Sequence, residues 1–248
     1  MYEETAGRTP LQKILLILLL AMAVLFAVLT AVFRGQPLVR WADGLLRPGA
    51  EGAARVYAGA LHGQEVTVRA WSDGDDTVVD FTIGSLRHHT GRVTWPDGMI
   101  SREYGGAVPR VDIFLDDLLV FSGGCDKDSG TLYREDGSRE PGLSIWATTS
   151  YSSYWSSYQV DAFDVLYFAM EPDIVHRGSW AVWGVTLFIS LLAAVDIAFP
   201  LAFFYLRYSF SVNNPEPSDL YLAMQKAGWV LMTAAALGMY IWGLTILS

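Results

Sequence analysis

The sequence is poor in charged residues and almost free of cysteine. Charged residues make up 17% of the 248 positions and hydrophobic ones 52%, with a mean hydropathy of +0.29. An average soluble domain carries about 25% charged residues, so part of this chain is expected to lie in lipid. Because Cys125 is the single cysteine, an internal disulfide and a cysteine-ligated metal cluster are both excluded.

Sequence motifs of the common enzyme classes are also missing. The chain has no G-x-S-x-G elbow, no phosphate-binding glycine loop and no H-E-x-x-H pair. His88 and His89 are adjacent, so on a strand they would point to opposite faces and would share a zinc ion poorly. No basic partner that would activate Cys125 can be inferred. We therefore expect a non-enzymatic protein without a cofactor.

Three long apolar runs are present instead. They are Ile14–Phe33, Trp180–Leu206 and Ala227–Leu247, and Asp196 is the one charge among them. A hydrocarbon core about 30 Å thick requires about 20 helical residues, so each run is long enough to cross. The predicted segments are an N-terminal tail (1–13), transmembrane helices at 14–34, 179–207 and 219–247, and a connecting turn (208–218).

The first run resembles a signal sequence. It is longer than the apolar region of a signal peptide, about 7–15 residues, and Phe33 and Arg34 stand where a cleavage site needs small residues. An uncleaved signal anchor is the favoured interpretation.

Asp196 lies past the middle of the second apolar run. Pro200 frees a backbone carbonyl one turn earlier, near this carboxylate. One interpretation is a hydrogen bond between helices, to Ser190, Thr186, Thr233 or a neighbouring subunit. The other is a working group for proton or ion passage in a transport complex, because intramembrane acids are costly and often functional.

The region between the first two runs is long enough for one independent domain. Residues 35–63 are expected to form a juxtamembrane or interfacial helical segment, because Leu38, Trp41 and Leu45 fall on one helical face. From Gln64 the apolar period changes to two, which is typical of strands.

Short strands separated by Gly, Asp and Pro turns continue along the chain, with the final candidates at Leu143–Thr148 and Tyr158–Met170. The fold class predicted is a membrane protein with three transmembrane α-helices. An all-β, antiparallel sandwich-like domain (64–175) is inserted between the first and second helix.

Two features of this domain are candidate binding sites. Tyr151, Tyr154, Trp155 and Tyr158 lie among serines and threonines, a composition typical of recognition loops for a protein or glycan. The same aromatics would also suit a loop that caps the core or dips into the membrane interface. Acidic turns are the second feature. Asp126 and Asp128 have the alternate spacing of calcium ligands, and the same residues suit hairpin turns.

Charge gives little information on orientation. Four basic residues flank the spans on each side, namely Arg8, Lys13, Arg207 and Lys226 against Arg34, Arg40, Arg47 and Arg177. The domain is net acidic, which argues against nucleic-acid binding. Its Gly-, Ser- and aromatic-rich composition is similar to that of extracytoplasmic domains, so we expect it outside the cytoplasmic membrane of a bacterium.

The turn before the third helix contains a recognisable motif. Two prolines end the preceding helix, and Ser218 is expected to cap the next one with Asp219 in its first turn. Tyr221 and Trp229 suit the interfacial aromatic belt. The segment "EPSDLYLAMQKAGW" resembles an E-P-S-D-x-Y signature of small, uncharacterised bacterial membrane proteins. The matching positions are Glu216, Pro217, Ser218, Asp219, Tyr221, Lys226 and Gly228. The resemblance implies a bacterial membrane protein and adds to the chance that the turn contacts a partner.

The leading functional hypothesis is therefore a non-enzymatic, membrane-anchored binding or complex-assembly protein. Its expected partners are the lipid bilayer and a protein partner or a second copy bound through the transmembrane helices. The alternatives are an accessory subunit of a transport complex that uses Asp196, and a membrane-tethered hydrolase with an unrecognised site.

Overall fold

The computed structural model describes residues 8–61, 63–85, 87–141, 159–200, 204 and 217–247. The chain divides into two compact units, one of residues 1–36 and 176–248 and one of residues 37–175. We call the first the helical unit and the second the β-unit. The described residues form four helices with given bounds, which are α1 (Pro10–Arg34), α2 (Ala162–Ala169), α3 (Trp180–Ala198) and α4 (Asp219–Thr245). The strands are β1 (Pro37–Trp41), β2 (Gly44–Glu51), β3 (Ala54–Leu61), β4 (Gln64–Asp73), β5 (Asp76–Ile83), β6 (Arg87–Thr94), β7 (Met99–Ser101), β8 (Ala107–Leu115), β9 (Leu118–Asp126), β10 (Thr131–Tyr133) and β11 (Ile174–His176).

Three helices of the helical unit, α1, α3 and α4, are long and apolar enough to cross a membrane. Each begins at a side-chain cap. Thr9 caps α1 in a capping box with Gln12, Ser179 caps α3, and Ser218 caps α4 by accepting a hydrogen bond from the backbone of Tyr221. These bonds satisfy backbone N–H groups that have no partner in the first turn. The predicted role of Ser218 is confirmed.

The three helices pack against each other along apolar stripes. The stripe of α1 repeats every three to four residues, as expected for one helical face. The core comprises Leu15, Leu19, Met22, Phe26, Ala193, Ile197, Trp229, Ala236 and Tyr240. The rings of Phe26 and Tyr240 stack with their centroids 5.1 Å apart.

Polarity in the helical unit is reversed compared with a soluble protein. Large apolar side chains point outward, among them Ile14, Ile17, Leu20, Val24, Phe188, Leu191, Leu231 and Ile241. The buried polar side chains of the described residues all belong to these helices and are Gln12, Thr30, Thr186, Ser190 and Thr233. A helix bundle that exposes apolar side chains and buries its polar ones within the core has the arrangement that lipid favours.

The β-unit contains one continuous antiparallel sheet. Its strand order is β10-β9-β8-β6-β5-β4-β3-β2-β1-β11, and β7 pairs with β8 beside this path. Alternating side chains of β4 and β5 are buried, including Val66, Val68, Val79, Phe81 and Ile83. The predicted β4–β5 hairpin is confirmed, with Asp73 opposite Asp76 at its turn.

The predicted second sheet of a sandwich is absent from the described residues. The helix α2 covers the inner face of the single sheet in its place, and Val165, Leu166 and Phe168 bury themselves among the strand side chains. The predicted strand at Tyr158–Met170 is therefore wrong within residues 159–170. Asp161 and Asp164 form a capping box that starts a helix there, and a short apolar run of this kind does not distinguish helix from strand.

The expectation of a helical segment at 35–63 is also wrong. These residues form β1, β2 and β3, which pair in register through Val39 opposite Leu46 and Leu46 opposite Gly59. Pro48 and Gly49 would cost a helix interior about 3 and 1 kcal/mol, respectively. Strand pairing in a large sheet outweighs the amphipathic pattern of Leu38–Leu46.

Close packing of α2 on the sheet depends on Gly91. A Cβ atom at this position of β6 would lie 2.5 and 2.6 Å from the two methyl carbons of Val165. The helix therefore rests directly on the backbone of a central strand.

Candidate functional site

The β-unit contains a cleft of about 630 Å³. The cleft is lined by the β1–β2 turn, the β9–β10 turn, α2 and the residues that follow α2, with Arg40, Ala42, Lys127, Ser129, Phe163, Tyr167 and Met170 among the lining residues. Because the two turns come from opposite ends of the strand order, the sheet curves around α2 to bring them together. A volume of about 300–1,000 Å³ is typical of ligand sites.

Hydrogen bonds hold one wall of the cleft rigid. The indole nitrogen of Trp41 donates to Oδ1 of Asp164 over 2.7 Å, and the backbone N–H of Asp161 donates to Oδ2 over 3.0 Å. The hydroxyl of Tyr167 donates to the carbonyl of Arg40 over 2.7 Å. Burial, assisted by the charge of Asp173, raises the pKa of Tyr167 further above the neutral range, in which a tyrosine hydroxyl is already protonated and able to donate.

The other wall of the cleft is the β9–β10 turn. The ammonium of Lys127 lies 4.0 Å from the ring centroid of Trp95, in cation–π contact. Asp126 Oδ1 accepts a hydrogen bond from the backbone of Asp128, and Oδ2 is 3.2 Å from a guanidinium nitrogen of Arg102. These are the contacts of an Asx turn with an ion pair, the second of the two interpretations given to this motif.

Metal-ligand geometry is not formed among the described residues. No group of three or more His, Cys, Asp or Glu side chains there is placed to hold an ion. His89 instead contacts Asp116, with Nδ1 2.8 Å from Oδ2, and His88 lies 3.5 Å from the hydroxyl of Thr82.

Asp116 ties the β8–β9 turn to β6. Its Oδ1 accepts from the backbone N–H of Thr90 over 2.9 Å, and its own N–H donates to the carbonyl of Thr90 over 2.8 Å. Burial alone would raise the pKa of Asp116, but the hydrogen bonds from His89 and Thr90 outweigh it and lower the pKa. Asp116 and Asp117 have φ of 49° and 64°, the left-handed conformation of a two-residue hairpin turn.

The helical unit contains a polar cluster around Asp196. The indole nitrogen of Trp229 donates to Oδ2 of Asp196 over 2.6 Å, and the amide of Gln225 donates to Oδ1 over 3.2 Å. Gln225 also contacts the carbonyl of Pro200. Nearby, the amide of Gln12 donates to the carbonyl of Ile197 over 2.8 Å. The cluster therefore joins all three long helices.

The three hydroxyl groups predicted as hydrogen-bond partners of Asp196 within the chain are wrong, although its placement between helices is correct. Thr186, Ser190 and Thr233 each donate to the carbonyl four residues earlier in their own helix, over 2.8 Å. A hydroxyl that donates a hydrogen bond to a carbonyl of its own helix is already satisfied, so it does not require a distant carboxylate as its acceptor. Asp196 instead binds the longer donors of α4.

Trp229, which was expected in the interfacial aromatic belt, points into the bundle and away from its outer surface. Its side chain is 3% exposed and packs within the bundle. Gln225 and Trp229 are four residues apart and so share a face of α4. That spacing, opposite an acid in the preceding apolar run, is the signal by which the cluster could have been found.

Several predicted site residues lie outside the described residues. These are Tyr151, Tyr154, Trp155, Tyr158 and Glu216. Of the remaining turn motif, Pro217 and Ser218 precede α4, and Asp219 and Tyr221 lie in its first turn. Lys226 is exposed one turn later.

One comparison with known proteins gives a match, and it is confined to the helical unit. A model described as a family of unknown function, DUF6199, matches residues 185–243. The matched region contains most of α3, the connecting segment and most of α4, together with Asp196, Gln225 and Trp229. No significant match was found among curated proteins or solved structures.

Proposed function

We propose that this chain is a non-enzymatic, membrane-anchored binding protein. In this proposal α1, α3 and α4 form the anchor, and the β-unit holds a glycan or protein segment in the cleft between its two turns. The observation that carries the proposal is the cleft itself, in which apolar and charged side chains converge on a volume suited to a ligand.

The anchor is supported by the reversed polarity of the helical unit. Outward side chains such as Ile17 and Leu20 would expose a large apolar surface to water, whereas Asp196 and Gln12 have their partners inside the bundle. We expect the chain to remain in the membrane pellet after alkaline carbonate extraction. Release into the supernatant would contradict the anchor.

Ligand binding is supported by the chemistry of the cleft walls. Phe163 and Tyr167 are one helical turn apart on α2 and present partly exposed rings, while Arg40 and Lys127 supply cationic groups at the rim. Partly exposed aromatic rings beside charged groups suit a ligand that has both apolar and polar surfaces. Trp41 and Asp164 keep the wall preorganised, which lowers the entropic cost of binding.

The binding experiment uses the full chain in lipid nanodiscs. We would measure binding to a panel of neutral and acidic oligosaccharides and unstructured peptides, first to the wild type and then to Ser129→Trp, which fills the cleft from an exposed turn position. We expect at least one probe to bind the wild type. Its affinity for Ser129→Trp is expected to be lower by roughly tenfold or more. The matched control is Ser72→Trp, an exposed strand residue outside the cleft lining. No binding by any probe, or equal binding to both variants, would contradict the proposal.

We further propose that the β-unit faces outward from a bacterial cytoplasmic membrane. Its acidic, Gly- and Ser-rich composition supports this side. The test is labelling of Ser129→Cys in intact cells with a membrane-impermeant maleimide, since the only natural cysteine, Cys125, is buried. Labelling before lysis is expected, and labelling only after lysis would place the unit inside.

A further inference from the structure

The cleft of the β-unit carries more acidic than basic side chains. Six of its lining residues are charged at neutral pH, and they are Asp128, Asp164, Glu171 and Asp173 against Arg40 and Lys127. The carboxylates come from the β9–β10 turn, from α2 and from the residues that follow α2, so both walls contribute to them. An excess of negative charge favours a cationic ligand over a neutral or acidic one.

The two cationic residues offset little of this negative charge, because their side chains are directed elsewhere. The ammonium of Lys127 lies over the ring of Trp95, which is not among the lining residues. Arg40 alternates along β1 with Val39 and Trp41, whose side chains are buried in the core that α2 covers. Because successive strand side chains point to opposite faces, the side chain of Arg40 leaves the sheet on the face away from α2.

Two of the carboxylates are available to a ligand. Asp128 and Asp173 are exposed, and neither takes part in an ion pair within the part of the chain that the structure describes. Glu171, by contrast, is paired with Arg55 over 2.5 Å. Since Asp128 belongs to one wall and Asp173 to the other, a cation in the cleft has a carboxylate on either side.

Aromatic rings line the cleft together with these carboxylates. Phe163 and Tyr167 are one turn apart on α2, and both are partly exposed. Burial raises the pKa of Tyr167 and the charge of Asp173 raises it further, against a smaller opposite effect of Arg40. The charges around this ring are therefore negative on balance. A ring face attracts an ammonium or guanidinium group and also packs against the apolar stem that carries it.

We propose that the cleft binds a protein segment through a lysine or arginine side chain. The methylene stem packs on Phe163 and Tyr167, and the charged end pairs with Asp128 and Asp173. This inference rests on the proposed binding function and assigns its ligand to basic protein segments and not to glycans. Common glycan units are neutral or acidic, whereas lysine and arginine combine a long apolar stem with a cation.

The test uses the full chain in nanodiscs of phosphatidylcholine, a lipid without net charge, so that basic probes do not bind the bilayer. The probes are short unstructured peptides of one sequence, in which two positions are lysine, acetyl-lysine or glutamate. Acetylation keeps the stem and removes the charge. We expect the lysine peptide to bind roughly tenfold or more tightly than the other two, and to lose this binding in Ser129→Trp.

Removal of the two available carboxylates tests their role. Asp128→Asn combined with Asp173→Asn is expected to weaken binding of the lysine peptide by roughly tenfold or more and to reduce its sensitivity to salt. The matched control combines Asp75→Asn with Asp117→Asn, two exposed positions outside the cleft lining. Because the chain has a net charge of −9, this control separates contacts in the cleft from long-range attraction.

Several results would overturn the inference. One is tighter binding of the glutamate or acetyl-lysine peptide, or of an oligosaccharide. If that binding were lost in Ser129→Trp, the cleft would still be the binding site of the proposed function. Equal loss of lysine-peptide binding in the two double variants would show attraction to the whole chain. A free diamine such as putrescine that binds as tightly as the peptide would overturn the assignment to a protein segment. Absence of binding by every probe would contradict the proposed function and this inference together.

Discussion

The indole nitrogen of Trp229 lies 2.6 Å from Oδ2 of Asp196 and joins α4 to α3 inside the helical unit. The carboxylate that interrupts the second apolar run thus has its partner within the same chain. A buried hydrogen bond to a charged group contributes about 1.5–3 kcal/mol in soluble proteins, and bonds between helices in a membrane contribute about 0.6 kcal/mol on average. Asp196 is well placed to hold the helices together.

Replacing Asp196 with Leu is expected to destabilise the helical unit by about 1–3 kcal/mol, because Trp229 and Gln225 lose their acceptor. Asp196→Asn retains one acceptor oxygen and should lose less. Unfolding in detergent, followed by tryptophan fluorescence, measures both. In a double-mutant cycle with Trp229→Phe we expect a coupling of about 0.5–2 kcal/mol. Strict additivity would show that the two side chains do not stabilise each other.

Gly91→Ala is expected to destabilise the β-unit by about 1–3 kcal/mol, because the new methyl group would overlap the side chain of Val165. Chemical denaturation of the full chain, followed by circular dichroism, measures this change in the free energy of unfolding. Gly49→Ala is the control, since its Cβ would be 3.8 Å from the nearest atom, and it should be close to neutral. Adding Val165→Ala should recover part of the loss in Gly91→Ala. If the two glycine variants behave alike, the close approach of α2 is wrong.

Cys125 is expected to react slowly with thiol reagents while the chain is folded. It is fully buried and its pKa is raised to about 11, so at pH 8 only about one thiol in a thousand is ionised. The rate of labelling by iodoacetamide, read by mass spectrometry, should rise by at least tenfold when the chain is denatured. In Ser129→Cys the added thiol should be labelled at once in the folded chain. Rapid labelling of native Cys125 would contradict its burial.

Acid should weaken the β-unit partly through Asp116. Its pKa is lower in the folded chain than the value near 3.9 of an unfolded aspartate. The stabilisation that ionised Asp116 gives to the folded chain is therefore fully present above about pH 4. It is lost as the pH falls through the lower pKa that Asp116 has in the folded chain. Asp116→Asn should flatten the dependence of the melting temperature on pH between about 5 and 2.

The control for this titration is Asp117→Asn, which removes the same charge one residue further along the turn. Because asparagine tolerates the left-handed backbone of both positions, neither change strains the hairpin. Equal flattening by both variants would show that net charge, and not the contacts with His89 and Thr90, sets the acid sensitivity.

Local patterns in the sequence predicted some elements well and others poorly. The apolar runs of α1 and α4 and the cap at Ser218 depend on length and local chemistry, and both are visible in the sequence. The period of two in β4 and β5 likewise reports one buried face. The segment Pro37–Leu61 was misjudged because its strands acquire their partners only within the large sheet, and pairing of that kind is not encoded locally.

The candidate site was harder to predict than the fold. Asp196 could be identified because a charge is conspicuous in an apolar run, but its partners Gln225 and Trp229 are 29 and 33 positions further along the chain. The cleft depends on sheet curvature, which brings Ala42 and Ser129 to the same site from opposite ends of the strand order. The periodicity of apolar residues along the sequence does not indicate this curvature.

The guanidinium of Arg34, at the end of α1, donates to the carbonyl of Gly178 over 3.1 Å, and Gly178 in turn donates to Ile246 near the end of α4. The chain thus leaves the helical unit and re-enters it at adjacent points. Domains inserted between neighbouring ends in this way are commonly tolerated as replaceable modules. Residues 37–175 are accordingly expected to be replaceable by a short glycine–serine linker, which would leave a minimal protein of three long helices. Another folded domain could then be inserted at the same position.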